Sequence, residues 1–171
     1  MRRIISLMIT AALTAFLLCG CNSPKVEDYL GDYDYDAPAI CMVYEPVEGE
    51  YDEAGQPLYG IQYREITDLE QLLQVPDVTF LLYFYNSMDS SGWGITAAVE
   101  DIAEAEEGKL TVIALDQSQY TNLTSQFGIN AVPDFALVRN YTEISVFGSA
   151  YYDIWGAADV AAWLDANGYP V

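Results

Sequence analysis

The strongest feature in the chain's hydrophobic pattern is the run Thr79–Tyr85, which reads Thr-Phe-Leu-Leu-Tyr-Phe-Tyr and predicts a strand buried on both faces. A polar turn, Asn86-Ser87-Met88-Asp89-Ser90-Ser91-Gly92, follows it. Helical spacing then takes over from Trp93 to Glu106, with Ile95, Ala98, Val99 and Ile102 on one face and Glu100, Asp101, Glu104 and Glu107 on the other, until Gly108 closes it. Further on, the spacing predicts strands over 110–115, 134–139 and 143–147, a short helix over 119–127 ending at Gly128, and a terminal amphipathic helix over 157–166 ended by Asn167-Gly168. Upstream, 39–47 and 58–66 read as the strands of a hairpin joined by the Gly- and acid-rich stretch 48–57. Between hairpin and central strand, Thr67 and Glu70 form a candidate capping box for a helix that carries Leu69, Leu72 and Leu73 inward and stops at Pro76.

A strand that hands a polar turn to a helix N-terminus is a common place for chemistry, because the first helical N–H groups are unpaired and attract negative charge. Here the turn holds Asp89, Ser90, Ser91 and Gly92. Asp and Ser at a helix start also cap those N–H groups, and this structural use is favoured over catalysis.

Composition narrows the choice of function. The 171 residues suit one domain plus extensions, and 52% hydrophobic residues supply an ample core. Against 26 acidic residues stand 6 basic ones, a formal charge of -20 that repels nucleic-acid backbones and excludes nucleic acid as an expected partner. Histidine is absent, which removes Ser-His-Asp and Cys-His catalysis and the commonest transition-metal ligand. No cofactor and no metal are expected.

The N-terminus reads as an address. Arg2 and Arg3 precede an apolar stretch from Ile4 to Leu18, and Leu18-Cys19-Gly20-Cys21 resembles the lipobox of bacterial lipoproteins. That resemblance implies a signal peptide over 1–20, lipidation of Cys21, and a membrane-anchored protein facing the extracytoplasmic side; an uncleaved membrane helix is the lesser alternative, the apolar run being short of a full span. Cleavage would leave 4 basic residues, the 6 less Arg2 and Arg3. Cys41 would then be the one thiol without lipid, with burial favoured over pairing to another chain. Residues 21–38, acidic and bounded by prolines, read as a tether. Its Asp32, Asp34 and Asp36 suggest a calcium loop, but Ala37 stands where a glycine is required and Val43 where a bidentate glutamate belongs, so a self-repelling spacer is favoured.

Three segments carry a second resemblance. Gly108-Lys109-Leu110-Thr111-Val112, Phe127-Gly128-Ile129-Asn130-Ala131-Val132-Pro133 and Trp163-Leu164-Asp165-Ala166-Asn167 resemble thioredoxin segments in order and spacing, across about 58–168. The resemblance implies an α/β fold, a three-layer α/β/α sandwich around a central mixed sheet within a domain over 39–171, to which the N-terminal hairpin strand is an addition. It also implies a cis proline at Pro133. The family's Cys-containing active-site turn falls on Met88, Asp89, Ser90, Ser91 and Gly92, with both cysteines missing; its buried aspartate maps to Tyr83 and its nearby lysine to Ala114.

Disulfide exchange needs an attacking thiolate and a resolving thiol, and a serine without histidine replaces neither. The expectation is therefore a redox-inactive, thioredoxin-like lipoprotein, not an enzyme, serving as a binding or assembly module for an extracytoplasmic protein or peptide. In the family, extended peptides dock across the active-site turn and the cis-proline loop. Carried onto this chain, the docking residues are Met88, Asp89, Ser90, Ser91, Gly92, Trp93, Val132, Pro133 and Asp134, although Trp93 is as well suited to its own core. A thiol-disulfide oxidoreductase acting through Cys41 or a partner's thiol, and a purely structural surface lipoprotein, are the alternatives.

Overall fold

The computed structural model describes residues 23–88 and 93–171. The segment read as a signal peptide, Cys21, Asp89, Ser90, Ser91 and Gly92 lie outside the described residues, and of Trp93 only the backbone is described. The strands are β1 (Leu30–Tyr33), β2 (Ala39–Tyr51), β3 (Pro57–Ile66), β4 (Thr79–Tyr85), β5 (Thr111–Asp116), β6 (Asp134–Arg139) and β7 (Thr142–Val146). The helices are α1 (Leu69–Leu72), α2 (Trp93–Ala105), α3 (Thr121–Gln126) and α4 (Ala157–Ala166). Among the described residues the strands form one mixed sheet in the order β1-β3-β2-β5-β4-β6-β7, in which β4 and β5 run parallel and every other neighbouring pair antiparallel.

The unbroken apolarity of β4 follows from its place in the middle. Successive strand residues point to opposite faces, so a strand covered on both sides has no solvent-facing set. Leu81 and Tyr83 pack on one face with Val112, Ala114, Phe135 and Leu137, beneath Val99 and Ile102 of α2 and Val160 and Leu164 of α4. Phe80, Leu82 and Phe84 pack on the other with Ile113, Leu115 and Val138, against Leu69, Leu72, Leu123 and Phe127 from α1, α3 and its C-terminal end. Full burial of each such Leu or Phe side chain stabilises by about 1.5–3 kcal/mol.

Three local expectations change. The hairpin strand expected as an addition lies inside the sheet: β2 separates β3 from β5, pairing Cys41 with Arg64 on one side and Ile113 on the other. Ala39, Ile40, Cys41 and Met42 are all buried, as an interior strand requires. The hairpin also runs further than 39–47, reaching the pair Tyr51↔Pro57, where Asp52 Oδ1 accepts from the N–H groups of Ala54 and Gln56, both at 2.8 Å, and turns the chain. Second, the segment read as a spacer is partly built into the domain. Val26–Tyr29 forms a short 3-10 helix and β1 pairs with β3, held by Arg64 Nε donating to Gly31 O at 2.8 Å. Third, α1 is capped by Asp68, whose carboxylate accepts from Gln71 N–H at 3.0 Å, while the Thr67 hydroxyl donates to Tyr29 O.

Candidate functional site

The carboxyl ends of β4 and β5 lie side by side, with Tyr85 opposite Asp116. The antiparallel register Phe84↔Asp134 brings the start of β6, and with it the cis Val132–Pro133 peptide, to the same end of the sheet. Pro38 arrives there as well, its carbonyl accepting from Asp116 N–H at 2.9 Å. In open α/β sheets the crevice beyond the carboxyl ends of parallel strands is where ligands collect, because the loops diverge there, and α2 begins at this end.

Side-chain hydrogen bonds fix this end. The Ser87 hydroxyl donates to Asp116 Oδ2 at 2.6 Å and Ser118 N–H donates to Oδ1 at 2.9 Å, which ties the turn after β4 to the end of β5. Burial pushes the Asp116 carboxyl up, yet the hydrogen bonds from Ser87 and Ser118 outweigh it and hold the group below its ordinary value. Asn86 Oδ1 accepts from Met88 N–H at 3.0 Å.

Behind the turn, between α2 and the sheet, opens a cleft of about 810 Å³. Tyr35, Tyr63, Tyr83 and Tyr85 wall it, with Ile40 and Met42 at its apolar side. Their rings pair at 5.0 Å between centroids for Tyr35 and Tyr63, and at 5.7 Å for Tyr83 and Tyr85. Burial raises the hydroxyls of Tyr83 and Tyr85 above the ordinary tyrosine value, and the Asp116 charge adds to the effect at Tyr85. Both are therefore neutral phenols at physiological pH. The Tyr83 hydroxyl lies 3.4 Å from Thr96 Oγ1, which connects the central strand to α2. Three carboxylates, Asp36, Glu100 and Asp116, also border the space. Burial raises the Glu100 carboxyl, and neighbouring Asp101 adds to that shift. Tyr83 and Ala114, the positions matched to the family's buried aspartate and lysine, are both part of the lining.

The docking residues expected from sequence divide. Met88 is 90% exposed, and Val132 and Pro133 are half-buried at the same end of the sheet. Asp134 does not belong to that surface. Its side chain is 1% exposed, and Oδ1 accepts from the N–H groups of Phe135 at 2.8 Å, Gly148 at 3.0 Å and Ser149 at 3.1 Å, so it pins the chain leaving β7 to the start of β6. Burial raises the Asp134 carboxyl above its ordinary value despite these three bonds. Asp89, Ser90, Ser91, Gly92 and the Trp93 side chain lie outside the described residues.

Cys41 is 1% exposed near the start of β2, and burial pushes its thiol up to about 12. A thiol so placed provides almost no thiolate near neutral pH. Among the described residues no group of three or more His, Cys, Asp or Glu side chains is arranged to hold a metal ion.

The tyrosine cleft escaped the sequence reading, although part of its signal was present. Tyr83 and Tyr85 are two apart in a strand and so share a face, and Asp116 ends an otherwise apolar run at the point where β5 leaves the core. Tyr35 and Tyr63 come from distant segments, and the pairing of β1 with β3 brings them together, with Asp34 N–H donating to Tyr63 O at 3.1 Å. Neither a protein-family model nor a curated protein matches the sequence.

Proposed function

We propose that the chain is a thioredoxin-like binding module, carried on a lipid anchor at Cys21 on the extracytoplasmic side of a bacterial membrane, which docks an extended protein or peptide segment and exchanges no disulfides. The observation that carries this reading is the contrast between an accessible end of the sheet and a buried thiol. The carboxyl ends of β4 and β5 meet an exposed Met88, half-buried Val132 and Pro133, and a wide cleft, whereas Cys41 is buried in β2 with its thiol raised to about 12. The helix-flanked sheet and the cis Val132–Pro133 peptide, at the position the resemblance assigns to a cis proline, support the thioredoxin-like reading. Met supplies adaptable apolar contact, and backbone groups at a loop beside a strand start supply hydrogen bonds to an extended chain.

The test is insulin-disulfide reduction by the purified chain with dithiothreitol as electron donor, beside titration with a library of extended peptides. The reading expects no acceleration of reduction and saturable peptide binding that falls on Met88→Asp or Val132→Asp. Reduction that depends on Cys41, lost in Cys41→Ser, would overturn it.

A further inference from the structure

The tyrosine cleft carries a chemistry that docking at Met88, Val132 and Pro133 does not use. Its charged groups are all of one sign: Asp36, Glu100 and Asp116 border it. The basic residues of the described chain are engaged elsewhere. Arg64 pairs with Glu45 at 3.5 Å, Lys109 pairs with Glu106 at 3.1 Å, Arg139 donates to Thr79, and Lys25 does not border the cleft. Among the described residues, none supplies a positive counter-charge at this place.

We propose that the cleft is a binding site for an organic cation, an alkylammonium group seated against the tyrosine rings and balanced by the bordering carboxylates. A cation is attracted to the face of a neutral aromatic ring, and here two ring pairs come from three separate stretches of chain around one space. The phenols of Tyr83 and Tyr85 stay protonated and add no phenolate charge; Tyr83 is buried in stacks with Tyr85 and Phe135, and the accessible ring surface belongs to Tyr35, Tyr63 and Tyr85. An anion would meet three carboxylates, and an uncharged apolar ligand would strip water from them without replacing it. A hard metal ion is the other cation to consider, but it needs about six or more oxygens converging at short range, and no such cluster occurs among the described residues. About 810 Å³ lies within the usual range for small-ligand sites, and Ile40 and Met42 offer apolar surface to an alkyl stem.

The same ammonium could come as a free amine or as a lysine side chain. Calorimetric titration of the purified chain with (2-hydroxyethyl)trimethylammonium, and with its uncharged carbon isostere 3,3-dimethylbutan-1-ol, tests the shared chemistry. The cation is expected to saturate and to bind at least about tenfold tighter than the isostere. Glu100→Gln and Tyr35→Ala, on a half-buried helix position and an exposed loop, leave thermal unfolding unchanged and each weaken it by about fivefold. Parallel titrations with n-butylammonium and with acetyl-Ala-Lys-Ala-amide separate the sources: tighter binding of the peptide assigns the site to a side chain, and equal or tighter binding of the amine to a free ligand. Equal affinity for cation and isostere, absence of saturation, or wild-type binding by both variants overturns the proposal. Peptide docking at Met88 and Val132 is scored separately, since neither residue borders the cleft.

Discussion

Replacing Asp134 tests the assignment of that residue to architecture and not to docking. In Asp134→Ala the N–H groups of Phe135, Gly148 and Ser149 lose their shared acceptor, and Gly148 and Ser149 are themselves buried. A hydrogen bond to a charged group contributes about 1.5–3 kcal/mol, and each buried donor left unpaired costs about 1–3 kcal/mol. These terms overlap, and relief from burying a carboxylate offsets part of them, so the expected loss is about 3 kcal/mol. Asp134→Asn keeps an acceptor oxygen and is expected to lose about 1 kcal/mol. The pH dependence has a definite sign. Because burial raises the folded carboxyl above its ordinary 3.8, the folded state holds the proton more tightly than the unfolded state. The contribution of this group is fully present below 3.8 and is lost as pH rises through the folded value, so Asp134→Asn gains on wild type over that rise. Urea unfolding of the three proteins from pH 4 to pH 8 measures both effects. An alanine variant within about 0.5 kcal/mol of wild type, or an asparagine variant that tracks wild type at every pH, would refute the reasoning.

Ser87→Ala removes the 2.6 Å bond to Asp116, so the Asp116 carboxyl should move up toward 3.8 in a carbon-detected NMR titration, with about 1 kcal/mol of stability lost above that pH. Since that carboxyl is depressed in the fold, its contribution is present above 3.8 and is lost as pH falls through the folded value; an unmoved titration would contradict the assignment. At pH 8 a Cys41 thiol raised to about 12 is ionised in roughly one molecule in ten thousand, so native Cys19→Ser, Cys21→Ser chain should resist a thiol-reactive dye that labels the same chain in urea at once, and stoichiometric native labelling within minutes would contradict its burial. Leu82→Ala, at a fully buried position, should cost about 2–5 kcal/mol, whereas Met88→Ala at an exposed one should stay within about 0.5 kcal/mol; similar losses from the two would contradict the burial assignments.

Hydrophobic period located most of the elements because each answers to a local rule. Thr79–Tyr85 is apolar throughout because it is covered on both faces, and Ala157–Ala166 shows helical spacing because one of its faces packs on the sheet. Strand order was less legible. A hairpin's two strands look alike to any local pattern, and whether β2 or β3 lies against β5 is decided by which of them buries both faces; the run Ala39-Ile40-Cys41-Met42 contains that answer, the alternating Gln62, Tyr63 and Arg64 the opposite one. Met88, Val132 and Pro133, which the resemblance grouped, lie at one end of the sheet. Asp134 is buried, because a strand's first residue can point outward to solvent or inward to capture backbone donors, and the donors at Gly148 and Ser149 are contributed by a distant turn. For the cleft, the pairing of Tyr35 with Tyr63 is a consequence of sheet assembly and has no local signature.

The central claim is that the end of the sheet carrying Met88, Val132 and Pro133 binds without thiol chemistry. Its most direct test is a heteronuclear NMR titration of Cys41→Ser chain with an extended peptide selected on the wild type. The account predicts undiminished affinity, with the largest amide shifts at residues 85–88 and at Ala131, Val132, Asp134 and Phe135. Loss of binding with the thiol, or shifts that leave those residues untouched, would contradict it.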